Sequence, residues 1–261
     1  MRSTPHPPQY VMWYVHWAGP FSAPDVGALD AVRAAGATPV ITWMSNDPGK
    51  PASLALTTSR IASGDADPYI RAWAAALTRV PGTVLLRFDP EMNGNWFPWS
   101  PAGDPAATLA YVQAWRHVHD IFAAAGASNV QWVWSPNVQY PGSAPLADLY
   151  PGDAYVDWVG LDGYNWGPID GHTWQTPAEV FGPSLRALDT VSRRPVMLSE
   201  VGTTADGGNK ANWIKQFYSF LGSQNQVRAF VWFDADKETD WRFDDTAADL
   251  AAFEAGLNAV R

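Results

Sequence analysis

The chain has no cysteine among its 261 residues. That absence excludes a disulfide framework, a thiol nucleophile and a thiolate-bound zinc, and it leaves the redox compartment unread. No apolar run approaches the roughly 18 residues of a membrane span. Basic residues are few: 17 Lys and Arg stand against 26 Asp and Glu, a formal charge of −9, so neither nucleic acid nor an anionic membrane finds the basic patch it needs. Ser/Gly linkers, low-complexity runs and charge blocks are also missing, which favours a single domain over residues 1–261. The N-terminal MRSTPHPPQY carries charge but no apolar h-region, so no signal peptide is read there.

Glutamate is rare too, with five in the chain. Three have structural explanations. Glu179 closes the capping box Thr176-Pro-Ala-Glu179, Glu238 lies in the acidic loop Asp234–Asp240, and Glu254 is a solvent-facing charge on an alanine-rich C-terminal helix. The other two, Glu91 and Glu200, stand where the apolar runs TVLLRFDPE and RPVMLSE end.

Tryptophan is abundant, with fifteen in the chain. Core packing accounts for about half of them; the rest supply flat faces of the kind that sugar rings stack against.

Apolar and aromatic runs alternate with alanine-rich stretches, the pattern of βα units on a parallel sheet. Strands are predicted at 10–17, 38–44, 83–89, 130–135, 155–161, 195–200 and 227–233. Helices are predicted at 24–35, 67–79, 105–125, 177–192, 208–222 and 246–259, with no obvious helix between 136 and 154. Asp67-Pro68 and Asp104-Pro105 read as N-cap pairs and Gly126 as a C-terminal stop. The alternation predicts a TIM-type (β/α)8 barrel, although only seven strands are visible where eight are wanted. A doubly wound sheet is the alternative, but no phosphate-binding glycine motif follows any strand.

In such a barrel the C-terminal strand ends form the active face. They carry His16, Trp17, Trp43, Arg87, Asn93, Trp96, Trp99, Asn137, Tyr164, Trp166 and Trp232, a polar and aromatic set suited to a sugar cleft. Retaining glycoside hydrolysis needs one carboxylic acid to protonate the leaving oxygen and a second carboxylate, about 5–5.5 Å away, to attack the anomeric carbon. Aromatic surroundings suit Glu91 to the first role. Glu200 suits the second, with Arg87 and Tyr164 as partners. Structural alternatives stand beside these readings. Arg87 can pair with Asp89, Asn93 can shape its turn, Asp162 can bond backbone, and His16 can be a satisfied structural group. The aspartates at 234, 236, 240, 244 and 245 do not match a calcium loop, so neither metal nor cofactor is expected.

The segment Arg87-Phe-Asp-Pro-Glu-Met-Asn-Gly-Asn-Trp-Phe-Pro-Trp99 resembles the acid/base segment of glycoside hydrolase family 26, roughly R-P-x-H-E-M-N-G-x-W-x-x-W. Tyr150–Tyr164 is similar to the family's strand 6 segment and Leu198–Gly202 to its nucleophile segment. The resemblance implies an eight-stranded barrel with Glu91 as acid/base after strand 4 and Glu200 as nucleophile after strand 7. It also implies that Tyr164 hydrogen-bonds the nucleophile and that Trp96 and Trp232 line the cleft. On that count the first βα unit is absent, through truncation or a naturally short barrel, which leaves an open seam that another chain or residues 1–9 can cover. Pro90 departs from the family pattern, standing where a histidine usually precedes the acid/base.

The resulting expectation is a secreted, monomeric retaining endo-β-glycanase acting on β-linked polysaccharide, with pairing at the seam as the route to oligomers. β-1,4-Mannan is the first substrate expected, with lichenan or β-1,3-xylan as alternatives. A non-catalytic carbohydrate-binding barrel is the competing class.

Overall fold

The computed structural model describes residues 6–17, 23–50 and 56–259. Among these residues seven strands and eight α-helices follow one another: β1 (Tyr10–His16), α1 (Val26–Ala34), β2 (Thr38–Met44), α2 (Thr58–Ala62), α3 (Asp67–Leu77), β3 (Val84–Phe88), α4 (Pro105–Ala124), β4 (Val130–Trp134), α5 (Leu146–Leu149), β5 (Trp158–Asn165), α6 (Pro177–Val191), β6 (Val196–Thr203), α7 (Lys210–Leu221), β7 (Val227–Trp232) and α8 (Ala247–Ala259). The pairings β1–β2, β2–β3, β3–β4, β4–β5 and β6–β7 are parallel, and strand order equals chain order, β1 to β7. This is the order of a (β/α)8 barrel less one βα unit, as the sequence predicts. No helix among the described residues is long and apolar enough to cross a membrane.

The chain divides into two compact units. Of the described residues, one unit comprises those in Pro8–Val159 with Val191–Arg194; the other holds His6, Pro7, Gly160–Thr190 and those from Pro195 onward. In the first unit β2 and β3 are buried nearly throughout, as interior parallel strands must be when both faces are covered. Trp43, Trp73, Trp115, Phe88 and Phe122 fill the space behind them. β1 begins the strand order and is half-exposed along its length, with Tyr14 open to solvent. Of the segment proposed to cover a sheet edge, residues 1–5 lie outside the described residues. Gln9 accepts from the Thr38 amide at 2.8 Å, and so extends the β1–β2 pairing.

Helix boundaries follow their caps. Asp104 accepts from the Ala106 amide at 2.8 Å with Pro105 at the first helical position. Thr176 and Glu179 form the anticipated reciprocal box: the Thr176 amide donates to Glu179 Oε2 at 2.7 Å and the Glu179 amide to Thr176 Oγ1 at 3.3 Å. Gly126 ends α4 at φ 75°. Asp67 is a correction. It is the first residue of α3 and caps nothing; its carboxylate instead receives Arg71 at 2.9 Å and His117 at 2.6 Å.

Two further corrections concern strands. β5 starts at Trp158 rather than 155, because Asp153–Tyr155 form a 3-10 turn that places the Tyr155 ring against His119 and under the Arg116 guanidinium. β6 runs on to Thr203, so Glu200 lies within a strand rather than at its end.

In the second unit α7 and α8 pack through Tyr218, whose ring occupies the place that a side chain on Gly256 would take, 1.9 Å from an ideal Cβ. We therefore expect Gly256→Ala to overpack this contact, lowering stability by about 1–3 kcal/mol and Tm by several degrees. Calorimetric unfolding of the variant checks this.

Candidate active site

The first unit carries Glu91. The chain leaves β3 through Asp89-Pro90-Glu91, in which Asp89 has φ 40° and Glu91 φ 55°. Left-handed backbone costs a non-glycine residue about 1–3 kcal/mol, so it persists only where the surroundings enforce it. Here they do. The Asp89 amide donates to Trp43 O at 3.0 Å and the Glu91 amide to Ser135 O at 2.7 Å. Trp99 Nε1 donates to Pro90 O at 2.7 Å, and Tyr111 Oη to Asp89 O at 3.3 Å.

The Asp89 carboxylate is fully buried and accepts from Ser45 twice, from its amide and from its hydroxyl, each at 2.7 Å. Burial pushes this carboxyl up to about 7, although both Ser45 bonds favour its charged form. Glu91 itself is half-buried, and Trp96 Nε1 donates to its Oε2 at 2.8 Å. Trp96 lies flat over Gly94, where any Cβ would meet its ring at 2.6 Å, and its other neighbour is Tyr140 at 5.8 Å. At 47% exposure it is the most open tryptophan among the described residues.

Several residues expected to touch substrate are buried or engaged with other parts of the protein. Trp43 is fully buried, enclosed by Trp17, Tyr69, Trp73, Phe88 and Phe122. Trp17 belongs to the same cluster, 4.7 Å from Trp43 and 5.1 Å from Tyr69. Trp99 is 3% exposed and stacked on Phe97, so it supports the turn rather than a sugar. Arg87 is buried on β3 and donates to Thr42 Oγ1 at 3.1 Å. Asn93 is buried as well and clasps Asn137, donating to its carbonyl and accepting from its amide, both at 2.8 Å. This clasp ties the loop after β3 to the loop after β4. Half-buried Asn137 is therefore held through its main chain. His16, at the end of β1, meets Asn46 Oδ1 at 2.9 Å.

The second unit carries Glu200. Leu198 pairs with Phe230 and Val201 with Trp232, so three residues of β6 are spanned by two of β7. The irregularity falls at Ser199-Glu200, and such bulges re-aim side chains. Tyr164 Oη donates to Glu200 Oε2 at 2.5 Å, the bond that the family resemblance implies. Gly202 permits that approach, since a Cβ there would lie 2.8 Å from the Tyr164 ring. Asp162, buried on β5, has a carboxylate oxygen within 4.8 Å of one on Glu200. Trp166 is half-buried between Trp241 and His172. Trp232 is another correction: it is 8% exposed, donates to Trp241 O, and packs against Trp213, Phe217 and Phe253.

Trp241 went unmarked by sequence reasoning, yet its ring sits 4.9 Å from both Tyr164 and Trp166. The available signal was a tryptophan directly after the acidic loop Asp234–Asp240. That loop is anchored, not merely solvated. Buried Lys210 donates to Asp240 O at 2.7 Å and faces Asp245 at 3.9 Å, while Arg242 binds the Asp240 carboxylate.

A sequential βα sheet that carries one glutamate on a strained turn after β3 and another on a bulge in β6, each held by an aromatic donor, defines the framework of a glycoside hydrolase. The model of glycosyl hydrolase family 26 matches residues 68–185. It is 36% identical over 252 residues to Endoglucanase H of Acetivibrio thermocellus, covering 94% of this chain and 27% of that protein. It is 40% identical over 88 residues to Mannan endo-1,4-beta-mannosidase A and B of Caldalkalibacillus mannanilyticus, covering 32% and 17%. The chain thus spans well under half the length of these relatives. The YdhT protein from Bacillus subtilis shares the fold, with TM-score 0.69 and 20% identity over 93% of this chain and 75% of that one.

The buried carboxyl sets a pH dependence of stability. Folding raises the Asp89 pKa from 3.8 to about 7, so the folded state takes up a proton between those values. Its contribution is fully present below about pH 4 and is lost as pH rises through about 7. We expect Asp89→Asn to flatten this part of the profile, which Tm values recorded at pH 5 and pH 8 for both proteins would reveal.

Proposed function

We propose that the chain is a retaining endo-β-glycanase cleaving by double displacement, with Glu91 as acid/base and Glu200 as nucleophile. The observation that carries this reading is the 2.5 Å bond from Tyr164 to Glu200. A phenol at that distance fixes one carboxylate oxygen and so orients the group for attack on an anomeric carbon. Glu91 first gives its proton to the departing glycosidic oxygen. It then takes one from the water that hydrolyses the glycosyl-enzyme, restoring both carboxyl groups. Trp96 supports binding beside the cleaved bond, because an exposed indole anchored by its own N–H presents a fixed ring face. In this reading residues 1–261 are a single catalytic domain, secreted and monomeric.

β-1,4-Mannan is the first substrate proposed, in keeping with the mannosidases among the chain's relatives. A mixed-linkage β-glucan is the second, favoured by a specific observation. The relative named an endoglucanase aligns with 94% of the chain, whereas the C. mannanilyticus mannosidase aligns with 32%.

Reducing-end release from mannan, lichenan and β-1,3-xylan decides among these substrates. Glu91→Gln is expected to lower turnover about 10²–10⁴-fold, and Glu200→Gln roughly 10⁴-fold or more, with both variants folded by circular dichroism. Near-wild-type rates in either variant reject its assigned role. Binding without release on all three glycans would make the protein a carbohydrate-binding module.

A further inference from the structure

We infer that Asp89 is a positioning residue for the acid/base: its double bond to Ser45 locks the left-handed turn that presents the Glu91 carboxyl. The inference rests on the reading of Glu91 given above.

A three-residue turn with φ 40° at Asp89 and φ 55° at Glu91 relaxes readily unless something outside it fixes the backbone. Pro90 between them has its φ set by its ring and offers no N–H, so the middle of the turn contributes only a carbonyl to the holding network. Main-chain bonds to Trp43 and Ser135 fix the two ends. Neither bond prevents the peptide planes between them from rotating together.

The Asp89 side chain supplies the missing restraint. Its two oxygens grip the amide and hydroxyl of one residue, Ser45, just past the end of β2. Two bonds to one partner define an orientation, where a single bond would leave a hinge. The grip is fully buried, so water does not compete for it. Tyr111 and Trp99 then secure the Asp89 and Pro90 carbonyls on that fixed base. Glu91, the last residue of the turn, inherits its direction from the two before it.

Misplacing an acid by about 1 Å costs roughly 10²-fold where its proton is needed, and little where the leaving group departs unaided. This difference separates a positioning role from a merely structural one. The test compares kcat/KM on the polysaccharide that the protein hydrolyses best with kcat/KM on dinitrophenyl β-mannobioside and dinitrophenyl β-cellobioside, whose leaving group needs no proton. Glu91→Ala provides the reference pattern: a large loss on polysaccharide, a small one on the aryl glycoside, and acceleration by azide.

Asp89→Ala is expected to reproduce that pattern, with a loss of about 10²-fold on polysaccharide. Asp89→Asn keeps an acceptor for the Ser45 amide and a donor for its hydroxyl oxygen, and should recover most of the activity. Ser45→Ala, which removes one of the two bonds, should show the same selectivity at smaller amplitude and serves if Asp89→Ala does not fold. If Glu91→Ala shows no dependence on leaving group, the reading of Glu91 fails and the inference falls with it. If Glu91→Ala shows the dependence while Asp89→Ala and Ser45→Ala lose activity equally on both substrate types, or lose none, the inference alone is overturned.

Discussion

A left-handed residue inside a protein is an energetic debt, and the turn Asp89-Pro90-Glu91 contains two. The rest of the first unit is arranged around holding it. Trp43, Ser45, Trp99, Tyr111 and Ser135 each give or take a hydrogen bond from these three residues. They come from β2 and its end, the loop after β3, helix α4 and the end of β4. The dense aromatic packing around Trp43 and Phe88 behind the strands has a purpose in this light. It makes the ends of β2 and β3 rigid enough to serve as anchors.

The second unit reaches a comparable result by another route. A regular strand alternates its side chains, so the residues around Glu200 could not all be aimed by strand geometry alone. The register irregularity at Ser199-Glu200 breaks that alternation on β6, and glycine at 202 opens the space that lets Tyr164 close on the carboxylate. Trp241 and Trp166 then wall the tyrosine in place. In both units the candidate glutamate sits where ideal secondary structure is interrupted, and in both a glycine beside it, Gly94 or Gly202, lets an aromatic ring come within reach of the glutamate.

This contrast explains what could be read from the residues alone. Strands and helices were legible because burial on both faces demands unbroken apolar runs, as in TVLLRF, and because caps such as Thr176–Glu179 are local. Both glutamates were legible through their position at the ends of such runs. What the aromatics do was not. Nine of the fifteen tryptophans are buried, among them Trp43, Trp99 and Trp232, because position near a strand end does not reveal whether a ring faces the cleft or the layer behind it. The Asp89–Ser45 grip escaped for a different reason: its partners are 44 positions apart, and nothing local marks Ser45 as the receiver. The run to Thr203 in β6 was hidden because Glu200 looks like a terminator in a strand whose continuation is bulged.

Trp96 bears on the acid/base role proposed for Glu91. An indole N–H donates and never accepts, so Glu91 Oε2 is the acceptor in their bond. Under that proposal, the bond to Oε2 favours Oε1 as the oxygen that gives a proton to the departing sugar and, in the second step, takes one from water. The acid would then need no rearrangement between steps, provided that its backbone does not move. The strained turn meets that condition by the multiplicity of its anchors, and a more relaxed connection, with fewer of them, would leave the direction of Oε1 to thermal motion.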